Sequence, residues 1–171
     1  MTDKRVFLGF SLTPLQTLQI EAIQQQLPLS VRLVPRDNLH MTLAFLGQAS
    51  SETIAALILS VDAITKPRFK VTLDLIEHWH KPKILCLKGA ASDPKLMMLA
   101  NAGQLLAQQH KLHQGEHHYN PHITLSRKAK AAVSDVKFQP LLIQPKALHL
   151  FQSFAGENGV EYPILHTWQL S

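Results

Sequence analysis

Leu39-His40-Met41-Thr42-Leu43-Ala44-Phe45-Leu46-Gly47 and Pro121-His122-Ile123-Thr124-Leu125-Ser126-Arg127 repeat one short pattern, His-x-Thr-Leu, at a separation of 122 − 40 = 82 positions. Each copy lies in a short apolar run of strand length and composition. Side chains alternate faces along a strand, so His40 and Thr42 share one face while Met41, Leu43 and Phe45 share the other. The second copy sets His122 and Thr124 against Ile123 and Leu125 in the same way. Two strands thus offer the same imidazole and hydroxyl pair on a polar face backed by a hydrophobic one. Taken alone, the echo equally fits two ordinary half-buried strands, with Thr present for its β-propensity and His for a satisfied hydrogen bond. The surrounding chain decides between these readings.

Upstream, residues 4–12 (KRVFLGFSL) read as a strand. Thr13 as N-cap and Pro14 in the first turn predict a helix through about Leu27, with Leu15, Leu18, Ile20, Ile23 and Leu27 on its apolar side and Pro28 as the stop. The turn Pro35-Arg36-Asp37-Asn38 leads into the first echo strand, 39–46, which Gly47 closes. A second helix runs from Ser50 or Ser51 to about Ile64. RFKVTLDLIEHW and KILCLKG then read as strands joined at Lys81-Pro82, and Asp93-Pro94 opens a third helix to about Gln109, with Leu96, Leu99, Leu105 and Leu106 inward. A His-rich stretch, 110–118, precedes the second echo, and the tail is β-rich around the turn Gly156-Glu157-Asn158-Gly159. Each echo therefore follows a linker and a helix. Two α/β lobes related by an approximate two-fold, echo strands side by side at the centre, would bring both histidines into one cleft.

The 171 residues suit one domain or two small lobes sharing a core, and 46% hydrophobic with 17% charged residues is a globular balance that excludes disorder. A net charge of +5 and ten histidines favour anionic partners such as nucleic acid or phosphorylated small molecules. The single cysteine, Cys86, sits in an apolar run, permits no intrachain disulfide and reads as a buried structural thiol. The N-terminus lacks the apolar core of a signal peptide, and no apolar run reaches 18 residues, so the expectation is a soluble cytoplasmic protein with no membrane association.

Two histidines facing each other across a phosphorus centre form an acid–base pair, one taking a proton from the attacking water and the other giving one to the departing oxygen. Imidazole titrates near 6.5, so neither step needs a metal. The two Thr hydroxyls, on the same face, can donate to the non-bridging phosphoryl oxygens.

Beyond the echoes, RVFLGFSL, LHMTLAFLG, YNPHITLSR and the tail LFQSFAGENGVEYPILHTWQL with Ser153, Gly159 and Tyr162 are similar, nearly end to end and in order, to the two-histidine phosphoesterase superfamily. The resemblance is to its bacterial RNA 2',3'-cyclic phosphodiesterases, also called 2'-5' RNA ligases. It implies a bilobal α/β (α+β) fold over residues 1–171. Two antiparallel-rich sheets with pseudo-two-fold symmetry and outer helices would surround a central cleft. It implies hydrolysis of RNA 2',3'-cyclic phosphate ends to 2'-phosphomonoesters, with weak reverse ligation. His40 corresponds to the family's proton donor and His122 to its acceptor, and Arg127 matches an arginine used at the ligand. Strict alternation points Arg127 away from His122, so a strand end or bulge is needed to bring it back.

Phe7, Phe10 and Tyr119 are candidates for contact with a base or ribose, and Lys4, Arg5, Arg32, Arg36, Lys128 and Lys130 for a phosphate path. His110, His113, His117 and His118, or His78 with His80, have spacing compatible with zinc, but Cys is missing there and the stretch reads as a solvated connector. The expectation is therefore no metal and no cofactor, with RNA ends or cyclic nucleotides as partners and no obligate protein partner.

Overall fold

The computed structural model describes residues 2–113 and 118–171. In chain order the elements are β1 (Lys4–Ser11), α1 (Pro14–Gln24), β2 (Arg32–Leu33), β3 (His40–Ala49), α2 (Ser51–Ala63), β4 (Val71–Leu73), β5 (Leu75–Trp79), β6 (Ile84–Lys88), α3 (Pro94–Gln109), β7 (His122–Arg127), β8 (Leu141–Ile143), β9 (Ala147–Gly156), β10 (Gly159–Glu161) and β11 (Ile164–Gln169). Local chemistry sets the helix starts. Thr13 and Gln16 close a reciprocal capping box at α1, Ser50 accepts from the Thr53 N–H at α2, and Asp93 accepts from the Lys95 N–H at α3. Asp93 also accepts from the Lys70 N–H at 2.9 Å, which ties the chain before β4 to α3.

Among the described residues nine strands join one antiparallel sheet in the order β10-β9-β1-β3-β7-β6-β5, with β11 on β9 and β2 on β7, while β4 and β8 form a two-stranded ribbon. The two antiparallel-rich sheets are thus very unequal. β1, β9, β10 and β11 extend one way from β3, and β6 and β5 extend the other way from β7. The echo strands lie side by side at the centre, as their order in the chain suggests. They share a narrow seam, for the one registered pair is Met41 opposite Ile123, both fully buried.

The apolar face of the sheet, with Val6, Leu8, Phe10, Met41, Leu43, Ile123 and Leu125, belongs to a single core cluster with Ile20 and Ile23 of α1, Leu57 and Val61 of α2 and Leu96, Leu99 and Leu106 of α3. Several sequence expectations shift. α1 stops at Gln24 rather than near Leu27, and Leu15 and Leu18 are exposed while Gln24 is buried. Leu105 of α3 is exposed as well. RFKVTLDLIEHW divides at Asp74, whose N–H turns to the Lys88 carbonyl at 2.9 Å, so β4 leaves for the ribbon and β5 stays in the large sheet. Gly47 does not close β3; it sits inside the strand at φ +78°, beside a register shift, where a residue without Cβ is favoured. Cys86 is fully buried, and burial pushes its thiol up to about 12, which suits a structural role.

Gly9 of β1 lies opposite Thr42, and a Cβ there would come within 2.8 Å of the Met41 carbonyl oxygen. Gly9→Ala is therefore expected to push β3 away from β1 and lower stability by about 1–3 kcal/mol. Urea denaturation checks this, through a lower midpoint at unchanged slope.

Candidate active site

The seam builds the site. Met41 and Ile123 point into the core, so the residues on either side of each point to the opposite face. One step out along an antiparallel register, Thr42 comes beside His122 and Thr124 beside His40. Each histidine is thereby brought near the hydroxyl of the other echo as well as that of its own, so the four side chains form one group.

Both rings are held in the same way. His40 Nδ1 donates to the Asn38 carbonyl at 2.7 Å, and His122 Nδ1 donates to the Asn120 carbonyl at 2.7 Å. A carbonyl only accepts, so this bond places the neutral ring's proton on Nδ1 and leaves proton transfer to Nε2. His40 Nε2 lies 3.1 Å from Thr42 Oγ1. The repeat is thus longer than His-x-Thr-Leu: both copies read Asn-x-His-x-Thr-Leu, a signal present in the sequence but missed in its reading. Asn38 is itself anchored, its amide donating to the Val160 carbonyl at 2.9 Å.

The walls differ. Around His40 stand Tyr162 at 4.9 Å, Phe7 at 5.0 Å and Phe151 at 6.0 Å between ring centroids, and beside His122 stands Trp79 at 4.5 Å. Burial lowers the pKa of both histidines below the ordinary value, against the raising effect of the carbonyl bonds. The positive charges of His122 and Arg127 lower His40 further, and Lys88 does so for His122.

Each echo also carries a bulge at the same place. Against β1, Thr42 faces Gly9 and Ala44 faces Leu8, so Leu43 is an extra residue; against β6, Thr124 faces Cys86 and Ser126 faces Leu85, so Leu125 is extra. An extra residue shifts the alternation by one. Phe45, expected on the core face, turns to the cleft, and so does Arg127 two residues after Leu125. The structure holds the second bulge with Gln24, whose buried amide donates to the Val34 carbonyl at 2.9 Å and the Leu125 carbonyl at 3.0 Å, while the Val34 N–H donates to Leu125 at 3.0 Å.

Two cavities adjoin across Thr42 and Phe45. One, of about 690 Å³, is lined by Phe7, His40, Thr124, Arg127, Ser153 and Tyr162; the other, of about 590 Å³, is lined by His122, Trp79, Lys81, Ala107 and Tyr119. This arrangement can present a phosphate between two imidazoles, with hydroxyls and an arginine at its oxygens.

Comparison with known proteins agrees with this geometry. Residues 12–86 match the family model of the LigT-like phosphoesterases. Over 99% of both chains the protein is 31% identical to Escherichia coli LigT, solved with 3'-AMP, with a TM-score of 0.88. The chain belongs to the LigT-like phosphoesterases. A second solved phosphoesterase is 31% identical over 99% of each chain with a TM-score of 0.89. The RNA 2',3'-cyclic phosphodiesterase of E. coli K12 is 40% identical over 108 residues, which span 63% of this chain and 61% of that relative.

Against the sequence expectations, this LigT-like phosphoesterase places His40, Thr42, Thr124, Arg127 and Phe7 at one cavity, with Lys4 and Arg5 on its rim. Phe7 is nearly inaccessible and backs the His40 ring, and Phe10 is core, packed edge-on to Phe69. Arg5 lies over the Phe45 ring at 4.8 Å, while Arg36 is engaged by Glu21 at 2.6 Å. Phe45, Trp79 and Phe151 were not among the expected site residues, because their places depend on the β3 bulge, on β5 joining the sheet through β6 and on β9 folding back against β1, while Tyr162, quoted above only for its resemblance, reaches the His40 ring. Among the described residues no three His, Cys, Asp or Glu converge as metal ligands, His78 Nε2 is engaged with the Ala129 carbonyl, and His117 lies outside the described residues. Among the described residues no helix is long and apolar enough to cross a membrane.

The Tyr119 hydroxyl donates to the Thr42 carbonyl at 2.7 Å from a largely desolvated position that pushes its pKa up, while the residue lines the cavity beside His122. It thereby fixes the first echo strand from the linker of the second. Tyr119→Phe should keep the fold and lower kcat by about 3- to 10-fold with little change in KM, the scale of one lost hydrogen bond. Steady-state kinetics check this, and a change confined to KM would instead place Tyr119 at the substrate.

Proposed function

We propose that this protein hydrolyses 2',3'-cyclic phosphate ends of RNA to 2'-phosphomonoesters without a metal, the whole of residues 1–171 acting as one bilobal unit. The observation that carries the proposal is the matched pair of imidazoles, each with Nδ1 bonded to an Asn carbonyl two residues upstream and each on its own side of the shared Thr42. The relatives support it: one is an RNA 2',3'-cyclic phosphodiesterase, and another binds 3'-AMP.

The cyclic end sits in the His40 cavity with its phosphorus between the rings. His122 Nε2 takes the proton of an attacking water as the new P–O bond forms, and His40 gives its proton to O3' as the P–O3' bond breaks, leaving phosphate on O2'. Thr42 and Thr124 donate to the non-bridging oxygens, and Arg127 neutralises charge that builds there. The same geometry run with a ribose hydroxyl as nucleophile gives weak 2'-5' ligation. Cyclic mononucleotides are accepted wherever the ribose and phosphate alone make the contacts.

The test is product analysis with a defined oligonucleotide bearing a 2',3'-cyclic phosphate, in EDTA, for wild type and His40→Ala. Wild type should turn over fully and yield the 2'-phosphate, and the variant should be impaired by orders of magnitude. Activity lost on chelation and restored by zinc would overturn the metal-free reading.

A further inference from the structure

The two echo strands are flanked alike, and one position breaks the match. β1 lies on the outer side of β3 and β6 on the outer side of β7, and each pairing carries its bulge at the same place. Directly across from His40 stands Ser11; directly across from His122 stands Lys88. Residues paired across an antiparallel ladder share a face. Lys88 therefore sets an ammonium on the side of the second imidazole where the first has a neutral hydroxyl.

Lys88 is held there. Its ammonium pairs with Glu77 Oε2 at 3.1 Å, and the other oxygen of that carboxylate accepts from Trp79 Nε1 at 2.8 Å. The same indole packs 4.5 Å from the His122 ring, so one glutamate on β5 fixes both the cation and the aromatic wall of this histidine. The Lys88 side chain is 25% exposed, and its charge acts through less water than that of a free surface lysine. Other charged or titratable groups around His122 are placed differently. His80 and Lys81 beyond β5, His113 after α3 and His118 before β7 line the cavity beside it but are exposed to solvent. Tyr119 is engaged with the Thr42 carbonyl, and His40 across the seam is the other member of the pair. Burial and the Lys88 charge lower the His122 pKa, against the raising effect of the Asn120 carbonyl. Arg127 acts on His40 in the free protein, but it lines the cavity that takes the phosphate, where a bound anion answers its charge. Lys88 lines neither of the two cavities that meet at Thr42, so it goes on facing His122 when substrate is present.

We propose that Lys88, clasped by Glu77, is the positioning residue that makes His122 the base of the pair, by setting a cation beside this imidazole and none at the matching place beside His40. Two like groups take up opposite proton-transfer roles when their surroundings differ in this way. The proposal rests on the hydrolytic reading above and supplies what divides the labour between two otherwise matched echoes.

The test follows kcat/KM against pH for a 2',3'-cyclic-phosphate oligonucleotide, together with the NMR titration of the His122 ring in the free protein. Wild type is compared with Lys88→Met, which keeps the stem and removes the charge, and with Lys88→Arg, which keeps the charge. Without the cation the His122 ring should bind its proton more readily. Lys88→Met should then lose about 3- to 10-fold on the acid limb, the scale of one partly screened neighbouring charge, and coincide with wild type on the alkaline limb. Its His122 ring should titrate at higher pH, and Lys88→Arg should follow wild type in both measurements. A ring titration that does not move in Lys88→Met overturns the proposal. So does a loss equal at every pH, which would place Lys88 on the substrate instead. Absence of hydrolysis in wild type overturns the hydrolytic reading and the base role with it, whereas hydrolysis with an unmoved ring overturns the role of Lys88 alone. Should Lys88→Met fail to fold, Lys88→Gln is the neutral variant that decides.

Discussion

Replacing His122 with alanine is expected to slow the chemical step by about 10²- to 10⁴-fold, and replacing His40 should do the same, because each removes one positioned proton-transfer group. A substrate whose leaving group needs no proton separates their roles. It should rescue His40→Ala and leave His122→Ala impaired, and rescue of His122→Ala instead would reverse the assignment of acid and base. The pH dependence carries the same division. With the proposed roles, the rate should rise as His122 loses its proton and fall as His40 loses its own. Burial lowers both pKa values below 6.5, so the kcat/KM profile of the free enzyme should peak on the acid side of 6.5. A bound phosphate favours both imidazolium forms, so the kcat profile should lie at higher pH than the kcat/KM profile. Each His variant should flatten one limb, and the measurement is the full pH–rate curve for wild type and both variants. Thr42→Ala and Thr124→Ala should cost less, about 10- to 10³-fold, since other donors remain at the phosphoryl oxygens.

Arg127→Ala is expected to lower kcat/KM by about 10²- to 10³-fold, the scale for removing one charge-stabilising donor. What makes this residue informative is how it reaches the cleft. Its direction depends on the Leu125 bulge, and the bulge's carbonyl is held by the Gln24 amide and the Val34 N–H. Gln24→Leu keeps volume but leaves buried carbonyls short of a donor, so it should destabilise the fold by about 1–3 kcal/mol. It should also lose part of the Arg127 contribution. The double variant distinguishes the routes. If Gln24 acts through Arg127, the two activity losses should be less than additive when measured as free energies; full additivity would show that the bulge does not aim Arg127.

Much of this site was legible because it lies on strands. Period-two alternation places His40 with Thr42 and His122 with Thr124 from residue order alone, and the helix caps at Thr13, Ser50 and Asp93 are written in side-chain chemistry. What alternation cannot show is where it fails. The bulges at Leu43 and Leu125 reversed the expected face of Phe45 and restored that of Arg127, and nothing local in Thr-Leu-Ala-Phe or Thr-Leu-Ser-Arg announces an extra residue. α1 was read too long, and too apolar on one face, because Gln24 looks like surface. Its burial is explained by two carbonyls far along the chain. The Trp79 wall stayed hidden for a related reason: it becomes part of the site only when β5 is drawn into the same sheet as β7 through β6.

The supports of the two echo strands cross over. α1, which precedes β3, steadies β7 through Gln24 and Leu125, 101 positions apart; Tyr119, which precedes β7, steadies β3 at Thr42, 77 positions away. Contacts so distant along the chain close long loops and can form only once both partners are present, which slows folding. A growing chain on the ribosome therefore carries His40 long before anything can hold it opposite a partner. Until β7 has emerged and docked, His122 has no place beside β3 and the Thr42 strand lacks its brace, so the activity proposed above should be absent from a nascent chain during its own synthesis.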